Sequence, residues 1–300
     1  MHSIAVARLR RVTTIPQPPA DKKGISKKAT SILIIFNYIK NGYMDLQLKN
    51  KLFIIGGATS GFGKAIAEAL INEGANIIAV ARGGEKLKIL QSTAPSQVSI
   101  IAGDFSDSNV IAQVVEAVKE KELHGMVVNA GGPPAKTVLE TTLEDWDNAY
   151  QSILRWKVEL TKALVPKMIK QKYGRVVYIE SSSVKQPLEN LVLSNSLRVA
   201  VVGMVKTLSQ EIAGTGVTLN IMGPGSHNTP AIDRIYTKKS EQTGLSFDEV
   251  KQTAIKQIPV GALGEAADFA SLALWLLSPL SRFVTGETIT VDGGAVRSML

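Results

Sequence analysis

No cysteine occurs in the 300 residues, so disulfides, thiolate nucleophiles and cysteine-ligated zinc are all excluded. Histidine is almost as scarce: His2, His124 and His227 stand far apart, which argues against a histidine metal cluster. Repeats and low-complexity tracts are absent. The apolar run from Ser31 to Ile39 is broken by Asn37 and too short to span a bilayer, and no small-residue cleavage site follows it. Acid is nearly missing from one end. Residues 1–43 hold Arg8, Arg10, Arg11, Lys22, Lys23, Lys27, Lys28 and Lys40 against Asp21 alone, so +7 of the chain's formal +8 lies there. Residues 44–300 are close to neutral, which predicts neither a nucleic-acid nor a membrane partner for the body. A hydrophobic content of 45% is enough for one large core in one domain.

What is present is organised around Ile54-Ile55-Gly56-Gly57-Ala58-Thr59-Ser60-Gly61-Phe62-Gly63-Lys64. The apolar run Leu52 to Ile55 reads as a buried strand, and a helical pattern resumes through Ala67 and Leu70. Glycines at 57, 61 and 63 admit positive φ and close backbone approach. A helix start then offers free N–H groups and a partial positive charge to a pyrophosphate. Strand, glycine turn and helix together predict dinucleotide binding. Beyond this stretch, strand and helix signals alternate. Strands are expected at Asn76 to Ala81, Val98 to Ile101, Met126 to Asn129, Arg175 to Ser181, Val217 to Met222 and Thr288 to Val291. Helices are expected over about 108–121, 143–172, 191–213 and 265–277, with a mobile polar segment reaching about Val250. The fold class is α/β: a Rossmann-like, doubly wound, seven-stranded parallel sheet in three α/β/α layers.

The glycine spacing, Gly-x3-Gly-x-Gly, resembles the short-chain dehydrogenase/reductase family, and further segments of 46–294 line up in order. Asp104, followed by Phe105, stands where the family's acid contacts adenine. Asn129-Ala130-Gly131 matches the end of its Asn-Asn-Ala-Gly motif, with Val128 for the first Asn. Asn220-Ile-Met-Gly-Pro224-Gly225, with Thr229 beyond, matches the loop that holds the nicotinamide. Gly286 to Gly294 matches the closing strand. The resemblance implies a cofactor site made of Gly57, Thr59, Ser60, Gly61, Phe62, Gly63, Arg82, Asp104, Phe105, Asn129, Ala130, Gly131, Arg198, Pro224, Gly225 and Thr229, and no metal. At the end of strand two an acid would bind a ribose 2′-hydroxyl and an arginine a 2′-phosphate. Arg82 follows Ala81, which favours NADP over NAD, the other reading being a solvated surface arginine. Many members begin like Met44-Asp-Leu-Gln-Leu, so residues 1–43 are read as a start-site artefact. A disordered basic tail and a polybasic arm are the alternatives, and 44–300 is taken as the single folded domain.

The catalytic set departs from the family. Alignment on strand five puts Ser181 at the serine that orients the carbonyl. Alignment on Val201-Val202-Gly203-Met204 puts Ser194 at the tyrosine and Arg198 at the lysine, and Ile153 falls at the asparagine of the proton relay. A serine is a far weaker acid than tyrosine. Arginine keeps its proton, so Arg198 is excluded as an acid but suits an oxyanion. Substitute acids are His227, ranked first though a solvated loop histidine is the blander reading, then Tyr150, expected in the core, and Lys185. Tyr178 should face away from Ser181. The resemblance to 3-oxoacyl-carrier-protein reductases implies hydride transfer between a nicotinamide cofactor and a carbonyl or hydroxyl, on a small-molecule or acyl-thioester substrate. It also implies a cytoplasmic homo-oligomer, tetramer or dimer, with helix 191–213 suited to an interface. The alternative is a cofactor-holding sensor or partner subunit without the chemistry.

Overall fold

The computed structural model describes residues 44–129 and 131–299; the readings on 1–43 and on Ala130 fall outside them. Seven strands form one parallel sheet: β1 (Leu52–Gly56), β2 (Asn76–Ala81), β3 (Val98–Ala102), β4 (Gly125–Val128), β5 (Gly174–Ile179), β6 (Val217–Pro224) and β7 (Thr288–Val291). The spatial order is β3-β2-β1-β4-β5-β6-β7. The chain therefore winds outward from β1 to β3, returns past β1, and winds the other way from β4. That reversal opens a crevice beyond the carboxyl ends of β1 and β4, the place where such sheets hold ligands. Ile55 pairs with Val127 at this junction, which sets Gly56 beside the exit of β4.

Alternate strand residues feed two separate cores, as the period-two geometry of a strand requires. Phe53, Ile55, Val127, Val177 and Ile179 face one cluster, with Ile66, Leu70, Phe269 and Leu277. Ile54, Met126, Val128, Val176 and Tyr178 face the other, with Trp156, Leu160, Leu164, Val201 and Val205. Strands buried on both faces read as continuous apolar runs, which is why they were legible. The covering helices are α1 (Gly61–Asn72), α2 (Gly84–Thr93), α3 (Ser108–Ala117), α4 (Leu143–Ala149), α5 (Trp156–Gln171), α6 (Val192–Glu211), α7 (Pro230–Thr243), α8 (Phe247–Lys256) and α9 (Ala266–Leu277).

Three departures from the sequence reading matter for the site. The helix expected over 143–172 is interrupted by a π-helical turn, Tyr150–Arg155, between α4 and α5. Such turns carry an extra residue and cluster at functional sites. The segment expected to be mobile and polar contains two helices instead. Pro230 occupies the first turn of α7 after Thr229, and Ser246 with Glu249 closes a capping box on α8. Helix α2, absent from the helices expected, begins at Gly84 with no side-chain cap.

Candidate active site and cofactor cleft

The glycine turn forms one wall of the crevice. Gly57 and Gly61 take φ of +65° and +50°, and a Cβ at Gly63 would collide with the Gly57 carbonyl. Helix α1 opens at Gly61 behind Ser60, whose side chain makes no capping bond, and its first turn holds no acid. Its N–H groups and the Ser60 hydroxyl are therefore uncommitted to side chains, which fits a pyrophosphate. Thr229 faces Gly61 from the other wall, its Cβ 3.9 Å from where a Gly61 Cβ would stand. Asn129 fixes the floor by donating from Nδ2 to the Gly56 carbonyl at 3.3 Å. Gly225 donates its N–H to the Val291 carbonyl at 2.9 Å, tying the loop after β6 to the end of β7. Pro224 ends β6 just before it.

At the adenine end the structure brings Arg82 and Asp104 together, with Nε 3.8 Å from Oδ2 and the arginine side chain 82% exposed. Asp104 Oδ1 accepts from the N–H and hydroxyl of Ser106, at 3.0 and 2.9 Å. Phe105 turns its ring into the core, stacked on Trp156 with centroids 5.2 Å apart, so only its main chain is left for a ligand.

Arg198 holds Ser194 and Glu180 together. Ser194 and Arg198 lie one turn apart on the buried face of α6. Arg198 Nε donates to Ser194 Oγ at 3.0 Å, and Nη1 donates to Glu180 Oε2 at 2.9 Å. Nη2 faces the loop after β4; a Cβ at Gly132 would stand 3.6 Å from it. That loop is held over the start of α6 by a parallel bridge between Lys136 and Leu191. Lys136 Nζ also pairs with Asp145 at 2.7 Å. Ser181 caps a short 3-10 turn, its Oγ accepting from the Ser183 N–H at 3.1 Å. Ile153 is buried within the π-helical turn, so the asparagine position holds only hydrocarbon.

Two charged residues that the sequence reading passed over complete the centre. Lys157 donates from Nζ to Glu180 Oε1, so the Glu180 carboxylate is shared between an ammonium and a guanidinium. Lys157 is fully buried, and its Nζ also lies 5.6 Å from the Trp156 ring. Desolvation pushes the ammonium of Lys157 down to about 8; the charge of Arg198 adds to that push and Glu180 opposes it. A signal existed. Lys157 falls on the stripe Ile153, Lys157, Leu160, Leu164, the spacing of a buried helix face. Glu180 shares strand parity with Tyr178, whose hydroxyl bonds Thr161 Oγ1 at 2.7 Å on that same side.

The substitute acids lie in different settings. His227 is not a solvated loop histidine. It is 3% exposed, its Nδ1 lies 3.1 Å from the Gly225 carbonyl, and its ring packs edge-on against Phe62 and Phe269. Tyr150, expected in the core, is exposed, because the π-helical turn begins there. Tyr178 faces away from Ser181 as strand parity requires, and burial drives its hydroxyl well above the usual phenol range. Lys185 sits half-buried just after the 3-10 turn that Ser181 caps.

A doubly wound parallel sheet with a glycine turn and helix start at its switch point defines a dinucleotide-binding protein of the Rossmann type. Comparison with known proteins narrows this. The family described as enoyl-(acyl carrier protein) reductase matches residues 57–296. The 3-oxoacyl-[acyl-carrier-protein] reductase of Thermotoga maritima is 33% identical over 258 residues, covering 84% of this chain and all of that one. The Aquifex aeolicus enzyme of the same name is 28% identical, covering 84% of this chain and 99% of its own. Among solved structures, L-sorbose reductase from Gluconobacter frateurii, complexed with NADPH and L-sorbose, superposes with a TM-score of 0.80 at 26% identity, over 85% of this chain and all of that one. An actinorhodin polyketide ketoreductase with NADPH gives 0.78 at 27%, over 82% and 97%. The chain belongs to the short-chain dehydrogenase/reductase family and is an NAD(P)-dependent oxidoreductase. Among the described residues no helix is long and apolar enough to cross a membrane.

Proposed function

We propose that this chain is an NADPH-dependent reductase of carbonyl substrates, 3-oxoacyl thioesters among them, with Ser181, Ser194 and Arg198 as the groups that meet the substrate. The observation that carries the reading is the Ser194–Arg198 unit. Ser194 Oγ accepts from the guanidinium, which leaves its O–H free to donate, and Arg198 Nη2 faces the loop that closes the crevice. The exposed guanidinium of Arg82 supports NADPH, because it directly follows β2, where an arginine accommodates a 2′-phosphate. The nucleotide would rest on Gly57 to Gly63, Asn129, Gly131, Gly225 and Thr229. Bound there, it supplies a hydride to the carbonyl carbon.

The chain's own work is to hold the oxygen. Ser181 orients the carbonyl, and the Ser194 hydroxyl donates to the oxygen as it gains negative charge. Arg198 neutralises that charge without giving up its proton, as an oxyanion stabiliser does. Serine is too weak an acid to finish the step alone, so the proton that completes the alcohol comes from solvent. A slower turnover than that of a tyrosine-bearing relative is the consequence. Relatives and structural neighbours named for 3-oxoacyl and polyketide substrates support the thioester class, and the exposed Lys238 and Lys239 on α7 suit an acidic carrier. The exposed Val138, Leu139 and Leu143 suit the interface of a cytoplasmic homo-oligomer.

A second reading, a cofactor-holding sensor or partner subunit, is favoured by the buried Ile153 at the relay position. The experiment is NADPH oxidation by the full chain with acetoacetyl thioesters and simple ketones, beside the Ser194→Tyr/Arg198→Lys double variant. Turnover by the unaltered chain supports the reductase. Turnover by the double variant alone, with NADPH bound by both, transfers support to the sensor.

A further inference from the structure

We propose that Lys157 and Glu180 are positioning residues that fix both the place and the net charge of the Arg198 guanidinium, so that the protonation state of Lys157 sets the charge the pocket presents to the nicotinamide end of the cofactor. The inference rests on the cofactor reading above and deepens it.

The geometry supplies a shared anion between two cations from three different elements. Lys157 comes from α5, Glu180 from the end of β5 directly before Ser181, and Arg198 from α6. Lys157 and Glu180 side chains are 1% and 0% exposed, and that of Arg198 is 8% exposed. Only the guanidinium therefore reaches toward the crevice, and the other two act through it. Glu180 holds Nη1 while Ser194 holds Nε, which fixes the plane of the fork and turns Nη2 to Gly132.

The charges do not balance. Two cations and one carboxylate leave one positive charge in a desolvated place, and such an excess is unfavourable. Arginine does not release its proton in proteins, so relief can come only from the lysine. The charged or titratable groups facing Lys157 are Glu180 from β5 and Arg198 from α6. Tyr178, on the same strand face, is bonded to Thr161. Burial and the Arg198 charge already draw the lysine's proton release down to about 8. Above that value Glu180 fully offsets Arg198.

The oxidised nicotinamide carries a positive charge and the reduced ring does not, while their adenosine halves are the same. The ratio of the dissociation constants of NADP⁺ and NADPH therefore reads the charge of the pocket and cancels the titration of the phosphates. The full chain would be titrated with each nucleotide by calorimetry from pH 6.5 to 9.5, alone and as Lys157→Met, Lys157→Arg and Glu180→Gln. The ratio is expected to fall by roughly three- to tenfold across this range, the scale of one unit charge acting through partly screened protein. Lys157→Met should hold the low alkaline ratio throughout, and Lys157→Arg the high neutral one. A lysine that merely props the fold predicts the same profile for both. Glu180→Gln should move the fall to lower pH, because Lys157 then loses its counter-ion. Where Lys157→Arg does not fold, the contrast between wild type and Lys157→Met carries the test. Two bound nucleotides with a ratio independent of pH would overturn the inference and leave the cofactor site standing. Failure of either nucleotide to bind would overturn the cofactor reading and this inference with it.

Discussion

Replacing Lys157 by methionine removes a buried ammonium while keeping an unbranched chain of similar length, and its effect should depend steeply on pH. In the unfolded chain a lysine releases its proton near ~10.4. In the folded chain desolvation, aided by Arg198 and opposed by Glu180, brings that release to about 8. Below about 8 both states hold the proton, and the full penalty of the buried charge is in force. Between about 8 and 10.4 the unfolded chain still holds a proton that the native state has released. Unfolding then takes up a proton, so stability rises with pH across that window. The gap corresponds to about 3 kcal/mol in all, of which about 2 kcal/mol should be gained between pH 7 and 9.5. Tyr173, Tyr178 and Tyr236 are pushed up by burial, and His124 is pushed down. They are present in both proteins and cancel in the difference. Urea unfolding of wild type and Lys157→Met at pH 7, 8, 9 and 9.5, at one ionic strength, measures it. Wild type should gain about 2 kcal/mol on the variant, with the m-values unchanged. Parallel curves would refute the reasoning, because they would mean that the lysine keeps its proton throughout.

Other outcomes follow from single contacts. Arg82→Ala should weaken NADPH binding by roughly tenfold and leave NADH unchanged, since the guanidinium is exposed and only the 2′-phosphate distinguishes the two; equal losses would remove Arg82 from cofactor choice. Arg198→Met should lower kcat with acetoacetyl thioesters by roughly a hundredfold, the scale of one lost oxyanion donor, and more than Ser194→Ala; a larger effect of the serine would make the hydroxyl the principal group. His227→Ala should reduce stability by about 2–4 kcal/mol, because the buried ring packs edge-on against the Phe62–Phe269 pair, and thermal melts would show it. A pH profile of kcat that loses a limb in this variant, with the fold intact, would instead restore His227 as an acid.

The fold was legible because its signals are long and redundant. β2 and β7 lie where the apolar runs placed them, and the glycine turn carried its own context. The candidate cofactor residues Gly57, Arg82, Asp104 and Asn129 just follow the ends of β1, β2, β3 and β4, which the same apolar runs marked. The catalytic centre was not. Ser194 and Arg198 were found by alignment, but their partner Glu180 was passed over inside the strand expected over Arg175 to Ser181, because a carboxylate at a strand end ordinarily meets solvent. Lys157 sits where a lysine is ordinarily solvated, and only its place on the buried stripe of α5 contradicts that. The caps at Thr229–Pro230 and Ser246–Glu249 were present in the segment taken for a mobile one, and low hydrophobicity outweighed them. The site of His227 was obscured by tertiary context: a loop histidine is buried because Phe62, Gly264 and Phe269, distant in sequence, close on it.

That aromatic packing has a mechanical consequence. Phe62 belongs to the first turn of α1 and Phe269 to α9, so His227 bolts the loop after β6 to helices on the far side of the glycine turn. The parallel bridge between His227 and Gly264 adds a second fastening. The two jaws of the crevice are thus fastened to each other up to Thr229, and these contacts oppose spreading them. Helices α7 and α8, which follow Thr229, lie beyond this fastening, so opening to admit a substrate is expected there. Amide exchange with and without nucleotide should find 220–229 slow in both states, and should place the whole change in α7 and α8.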